Sequence, residues 1–386
     1  MRGACFILIC TMMGALLCPF GAEAKMYYIL TPIVKHRISS HSNMNNTGKS
    51  DFEHRTSLQF LLQGENERTK FNLGAGMDYY WYHRTNDGSR TEYYAGLSGL
   101  TELNENCYLR LDGNWFHDYS LSNQLEETGE LVTKNERVRY SIAPGISFRT
   151  SERDNHHITY TYGETDYEGD RYADSESSTV DWAWDHFQTE RLVLMTRLFA
   201  NWTDVTFADG KSDLFRVGAQ YGGRYEITER FSALLLLGPT WGRTTYTSTL
   251  LDDAKSEMGY ALDFILDYDL SEVSSVKAEY SRDSATAATG RFLDQDRLKL
   301  TYLNRLSIYT WIRLSAMYLH SESWGIGTET ETDLYKLGAV LHHRFTEDFS
   351  VDVGVNWHES HNQISNSISN DFSVYIEFEQ DLPFEL

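Results

Sequence analysis

From Tyr27 onward the chain alternates apolar and polar positions with a period of two, as a strand with two unlike faces does. In Arg297–Tyr302, Leu298, Leu300 and Tyr302 share one face and Arg297, Lys299 and Thr301 the other. Val351, Val353, Val355 and Trp357 oppose Ser350, Asp352, Asn356 and His358 in the same way. Tyr260–Tyr268 and Phe372–Glu379 repeat the pattern, and no stretch reads as an amphipathic helix or a linker. The alternation predicts strands near 27–39, 52–63, 68–84, 91–101, 106–120, 136–150, 155–163, 178–188, 190–204, 212–227, 230–247, 257–269, 274–282, 294–304, 307–321, 333–345, 348–359 and 371–381. That is about eighteen, with sixteen as the other count because 155–163 and its neighbours are weakly patterned.

The connections alternate too. Tight polar turns fall near Gly64–Glu67, Glu102–Asn106, Ser151–Asn155, Thr189–Glu190, Thr228–Glu229, Ser271–Glu272 and Thr346–Asp348. Between them lie longer acidic or Gly/Ser/Asn-rich segments at 40–51, 85–90, 121–135, 164–177, 205–211, 248–256, 283–293, 322–332 and 360–370. Short turn followed by long loop is the rhythm of an all-β, up-and-down antiparallel transmembrane barrel, with its short turns on the periplasmic side. A barrel of roughly eighteen strands is too wide for side chains to fill, so its polar face lines water and its apolar face meets lipid. Tyr79, Trp81, Trp115, Trp182, Trp184, Trp202 and Trp357 suit interfacial belts, which a soluble β-sandwich would leave unexplained. Pro144 and Pro239 interrupt strands and predict a bulge or local distortion.

Composition agrees. Of the 386 residues, 14% are aromatic, with Tyr 25, Trp 9, Gly 27 and only Pro 5. Mean hydropathy is −0.47, and beyond the N-terminal region no run approaches the ~20 apolar residues of a spanning helix. A net charge of −22 argues against nucleic acid as a partner. Met1-Arg2, the apolar run Ala4–Leu17 and Ala22-Glu23-Ala24 predict a cleaved signal peptide over 1–24, with the barrel over 25–386. Leu16 and Leu17 before Cys18 argue against a lipid anchor, and the mature chain keeps only Cys107, so no disulfide framework is expected.

The strand phases predict an inner wall bearing Arg110, Asp112, Arg139, Asp181, Arg197, Arg216, Arg224, Asp263, Lys277, Glu279, Arg297, Lys299, Arg313, Lys336, Asp352 and Glu377. Both signs occur, so no one-sided ion filter is expected. Tyr80, Tyr82, Phe116, Phe199 and Tyr375 share that face, as stacking surfaces for sugar rings or as lumen filling. Acidic side chains gather in three loop segments: Glu126, Glu127 and Glu130; Glu164, Asp166, Glu168, Asp170, Asp174 and Glu176; and Asp252 with Asp253. They read as a solvated surface, or as a place where divalent cations bridge to surface lipid. Catalysis is unsupported. In Trp357-His358-Glu359-Ser360-His361 the histidines stand three apart on a strand rather than four apart on a helix. His156-His157 and His342-His343 each point to opposite faces; Asp181 and Asp185 share a face and could in principle activate water, with no other catalytic motif beside them. No cofactor or metal is called for.

Tyr28-Ile-Leu-Thr-Pro-Ile-Val-Lys-His-Arg-Ile38, followed by Asn43, Asn45 and Asn46, resembles the start of β-barrel porin families found in exopolysaccharide (exosortase-type) gene clusters. Val276-Lys-Ala-Glu-Tyr-Ser-Arg-Asp283, through Ala285–Gly290 to Asp294-Gln-Asp-Arg-Leu298, is similar to their "aromatic-Ser-Arg, small-residue loop, Asp-Arg-Leu" hairpin. The resemblance implies an outer-membrane exit for a secreted polysaccharide. Its implied partner is a periplasmic polysaccharide-export protein, and it carries over no catalytic residue; an outer-membrane barrel is also expected to meet outer-membrane lipid and lipopolysaccharide. The C-terminus departs from the usual final aromatic, running past Phe378 through Pro383, with Phe384 as the alternative insertion signal. Two other functions stand beside that expectation. A small-solute diffusion porin requires a constricting infolded loop, for which 121–135 is long enough, and a structural surface barrel would not conduct.

Overall fold

The computed structural model describes residues 26–43, 49–84, 89–120, 125, 127–128, 134–169, 172–207, 210–248, 252–324, 330–364 and 366–385. The leader expected at 1–24 lies outside them. Nine strands build the first half: β1 (Tyr27–His41), β2 (Asp51–Glu65), β3 (Thr69–Tyr82), β4 (Arg90–Asn104), β5 (Cys107–Tyr119), β6 (Glu136–Ser151), β7 (Asp154–Tyr167), β8 (Asp174–Phe187) and β9 (Leu192–Thr206). Nine more follow: β10 (Gly210–Thr228), β11 (Phe231–Ser248), β12 (Asp252–Ser271), β13 (Ser274–Thr286), β14 (Phe292–Arg305), β15 (Thr310–Trp324), β16 (Glu331–Arg344), β17 (Phe349–Asn362) and β18 (Ser367–Asp381). The two-residue β19 (Phe384–Glu385) resumes the ladder to Ile29 and Leu30 of β1 after Leu382-Pro383.

Every strand pairs antiparallel with its neighbours in sequence, and β1 pairs with both β2 and β18, so the 18-strand sheet closes. Closure satisfies the backbone groups that an open sheet would leave at its edges. Register then assigns faces, because directly opposed residues project the same way. Ser57↔Asp78↔Glu92 and Lys299↔Met317↔Lys336 fall on one face, and Leu58↔Met77↔Tyr93 and Leu300↔Ala316↔Leu337 on the other. The apolar set faces outward and stays exposed: Leu235 48%, Leu300 44% and Leu337 51%. Two aromatic levels flank it. Trp81, Trp115, Trp202 and Trp241 stand toward the long-loop ends, and Phe71, Trp184, Phe231 and Phe349 toward the short turns.

Some expectations are corrected. Strand β7 runs regularly from Asp154 to Tyr167, which removes the sixteen-strand count. Glu164, Asp166, Asp174 and Glu176 consequently stand on β7 and β8 rather than in a loop, as do Asp252 and Asp253 on β12. Asp170 lies outside the described residues. Pro144 and Pro239 cause the expected local distortion but no bulge. The β6–β7 ladder skips from Ile142↔Tyr162 to Gly145↔Thr159, and the β10–β11 ladder from Gly218↔Thr240 to Tyr221↔Leu237, each resuming in unchanged register. The missing proline N–H removes one rung locally, and the intact ladder on the opposite side (Leu111↔Pro144, Pro239↔Tyr260) keeps the strand in line. Beside Pro239 the backbones press together: a Cβ on Gly238 would sit 1.7 Å from the Ala219 carbonyl oxygen.

A larger irregularity positions the site. The β12–β13 ladder stops at Leu262↔Arg282, although β13 continues with β14 to Thr286↔Phe292 and β14 with β15 to Phe292↔Trp324. Above that split the β13–β14 hairpin leans inward, over the inner faces of β9 and β10. Phe292 (2% exposed) packs into a cluster with Ala173, Val205 and Leu214, bordered by Phe207. The Ala173 N–H donates to the Ala288 carbonyl at 3.0 Å, and Arg216 reaches Asp294 at 3.1 Å. Gly290 adopts φ +76° at the tip, and a Cβ there would lie 2.4 Å from the Phe207 ring.

Candidate functional site

A ring of eighteen strands about 4.8 Å apart and tilted by about 40° is roughly 35 Å across, too wide for one residue to touch opposite walls. Here one residue does. The Glu127 carboxylate lies 2.9 Å from Arg139 and 3.6 Å from Arg137 on β6. Its carbonyl accepts from the Gln295 side chain at 2.9 Å and from Arg297 at 3.3 Å on β14. The inward lean of β13–β14 brings those two donors within reach. Glu127 therefore crosses the interior, which also identifies the polar face as the inner one. It was expected as a solvated loop charge; its placement inside is a correction. Glu126 and Glu130 lie outside the described residues.

The anchor on the β6 side is built from buried charge. Arg137, 1% exposed, donates to Asp118 at 2.8 Å, and Arg139 donates to the same carboxylate at 2.5 Å. Such burial is tolerated because each charge has a partner. On the β14 side, Gln295 (2% exposed) also donates to Ser321 at 3.0 Å. At that level the inner-face leucines Leu293, Leu319 and Leu334 are buried to 1% exposure or less, so this patch of wall is covered.

Register places all sixteen residues expected on the inner wall on the same face as Arg139, and most are paired. Arg110 meets Asp112 at 2.5 Å, Arg197 meets Asp181 at 2.6 Å and Asp263 at 4.0 Å, and Lys277 meets Glu279 at 2.6 Å. Glu377 takes Arg37 at 2.7 Å, Asp352 takes His342 at 2.6 Å, and Arg216 takes Asp294 as described above. Arg313 lies over the Trp311 ring at 4.8 Å. Arg224 stands opposite Val193 and Leu234, and Lys336 opposite Met317 and His358. Arg297 and Lys299 border a cleft of about 710 Å³ beside Glu127. Sequence reasoning missed Arg37, Arg55, Asp78, Arg90, Glu92, Asp118 and Arg137. Asp78 shares the phase of Tyr80 and Tyr82, Asp118 that of Arg110 and Asp112, and Arg137 that of Arg139, so extending those alternations would have found them; Arg37, Arg55, Arg90 and Glu92 stand on β1, β2 and β4, where no inner residue had been assigned.

Each of the five inner aromatics has a guanidinium near its ring, and Tyr80, Tyr82 and Tyr375 are buried, while Phe116 and Phe199 remain part-exposed. Arg90 lies 4.2 Å over Tyr80 and 5.7 Å over Tyr82, Arg139 5.0 Å over Phe116, Arg197 5.9 Å over Phe199, and Arg37 4.3 Å over Tyr375. The rings lie against the wall because glycines make room. A Cβ at Gly218 or Gly354 would fall 2.3 Å from Phe199 or Tyr375 respectively.

Polar interior, exposed apolar band, double aromatic level and closed antiparallel sheet together define the channel-like β-barrel fold of outer-membrane proteins. No family model matches the chain, and no curated protein matches it in sequence. Among solved structures it is similar to the copper transporter OprC, with a TM-score of 0.51 at 8% identity over 90% of this chain and 63% of that one. It is also similar to FpvA of P. aeruginosa, solved with bound pyoverdines, with a TM-score of 0.50 at 9% identity over 92% of this chain and 72% of that one. The chain thus spans 63% of the length of OprC, and at these identities the likeness is one of fold.

Proposed function

We propose that this chain is a bacterial outer-membrane channel for small polar solutes, lined by the sixteen inner-face residues named above and embedded among lipopolysaccharide. Glu127 carries the reading: it ties Arg137 and Arg139 of one wall to Gln295 and Arg297 of the other across a water-lined interior. Arg110, Arg197 and Lys277 on that face stay 67%, 44% and 44% exposed, which suits a wall that water reaches better than an interior filled by side chains. Export of a polysaccharide, with a periplasmic export protein as partner, rests on the resemblance at Tyr28–Ile38 and in the 276–298 hairpin. That hairpin leans inward above the split, and Tyr80, Tyr82 and Tyr375 are buried beneath guanidinium groups, so the small-solute reading is favoured.

Purified protein in planar bilayers and in solute-loaded liposomes tests the proposal. Discrete conductance steps, with monosaccharides and amino acids entering faster than octasaccharides, are expected. Absence of conductance in correctly folded protein refutes a channel, and octasaccharide flux equal to monosaccharide flux refutes the narrowed route in favour of a polymer exit.

A further inference from the structure

Above the split, one edge of β12 has no ladder neighbour among the described residues. Its ladder to β11 runs without a bulge from Phe231↔Tyr268 to Thr247↔Asp252, whereas its ladder to β13 ends at Leu262↔Arg282. The Asp269 N–H donates to the Arg230 carbonyl at 2.8 Å, so odd positions of β12 bond toward β11 and even positions toward β13. Ala254, Ser256, Met258 and Tyr260 therefore turn their backbone N–H and C=O groups to the open edge. The Ala254 N–H donates to the Asp253 carboxylate at 2.8 Å, and Met258 is 84% exposed. Residues 252–261 contain no proline, the residue that blocks an edge against further pairing. Arg282 marks the foot of the edge, over the Tyr260 ring at 4.6 Å and on Asp296 at 2.6 Å. Strand β14 passes beneath it, where a Cβ on Gly259 would lie 3.9 Å from Asp294. The outer faces of β14–β16 beside the edge carry an excess of acid. Register puts Asp294, Glu322 and Glu331 on one rung and Asp296, His320 and Asp333 on the next. Arg216 and Arg282 hold Asp294, Arg282 also holds Asp296, and His320 holds Asp333. Glu322 and Glu331 oppose one another directly as like charges. On β12 itself, Lys255 and Glu257 lie 3.8 Å apart.

We propose that the open edge of β12 takes an extended basic peptide of a partner protein as an additional strand at the long-loop end of the barrel. Strand addition gives hydrogen-bond partners to Ser256, Met258 and Tyr260, and lysine or arginine at alternate positions of the peptide answers the acid of Glu322 and Glu331. A second copy of this chain does not fit. Two barrels in one membrane are related by an axis along its normal, which crosses their β12 strands at roughly 80°, twice the strand tilt, and so prevents pairing. The inference needs the barrel and its split, and is independent of whether the lumen conducts.

Full-length protein in lipid nanodiscs tests it, with empty nanodiscs as the blank and a peptide of alternating lysine and threonine, about ten residues long to match the open edge, as the probe. Fluorescence anisotropy reads affinity, and hydrogen exchange reads the amides of β12. Wild-type protein is expected to bind this peptide, to bind its glutamate–threonine counterpart far more weakly, and to gain exchange protection at Ser256, Met258 and Tyr260. Ser256→Pro removes an edge donor without touching the β11 ladder, and is expected to weaken binding at least about fivefold. Ser256→Ala keeps the donor and binds as wild type does. The lysine–threonine peptide N-methylated at every residue keeps its charges and loses its donors, and is expected not to bind; this arm needs no variant to fold. Equal binding of the methylated and unmodified peptides, or equal affinity of folded Ser256→Pro and wild type, overturns strand addition in favour of charge adhesion alone. Failure of the lysine–threonine peptide to bind wild-type protein also overturns the inference.

Discussion

Neutralising the crossing residue with Glu127→Gln tests the interior directly. The substitution keeps the main-chain carbonyl that Gln295 and Arg297 hold, and removes the charge facing Arg137 and Arg139. Neither arginine is stranded, because Asp118 accepts from both at 2.8 and 2.5 Å. The loss is therefore that of a charge-assisted hydrogen bond, about 1.5–3 kcal/mol when fully buried. The Glu127 side chain is 42% exposed, and solvent screening brings this to about 1–1.5 kcal/mol. An equilibrium between crossing and released arrangements shifts by about five- to tenfold at that energy. Single-channel recording reads it as a matching rise in the dwell time of a larger conductance state. Barrel stability is unaffected, because the ladder does not involve the segment. Identical dwell times and conductance in Glu127→Gln and wild type would refute the claim that this contact holds Glu127 across the lumen.

Leu300→Arg, on the outer face near mid-height of β14, is expected to lower unfolding stability by about 2–4 kcal/mol in lipid. Thr301→Arg next to it faces inward and should leave stability intact while altering conductance; equal loss from both in denaturant titrations would contradict the assigned faces. Phe292→Ala empties the small cluster that seats the β13–β14 tip, so protease should cut 287–291 in reconstituted protein while the barrel core resists. Resistance equal to wild type would show that the cluster does not hold the hairpin. Gly238→Ala places a methyl where the Ala219 carbonyl lies, 1.7 Å away, and is expected to abolish the heat-modifiable folded band on gels. A normal band would mean that β10 and β11 separate easily there.

Much of the barrel is written locally. A period-two alternation such as Leu298-Lys299-Leu300-Thr301-Tyr302 sets both strand and face, because successive side chains of a pleated strand point to opposite sides whatever the partner. The sixteen inner-wall residues stand on one face for that reason, and the eighteen-strand count follows from where alternation breaks. The proline effects were only half legible, since a bulge or a skipped rung depends on how firmly the neighbouring strand holds.

Other features needed contacts between residues remote in sequence. Glu127 reads as one acid among loop acids until Arg139 and Gln295 are brought to it from β6 and β14. Acids counted as loop charge at Glu164 and Glu176 stand on strands, because Glu164 pairs with Tyr140 and Glu176, and Glu176 with Asp204, in ladders that run past the positions read as loop. The inner aromatics looked available as stacking faces; only cross-strand placement shows Arg90 over Tyr80 and Arg37 over Tyr375. Alternation reports the two sides of one strand. It carries no information about where the sheet splits at Leu262↔Arg282, or which wall a segment meets on crossing, since those outcomes depend on packing between strands far apart in the chain.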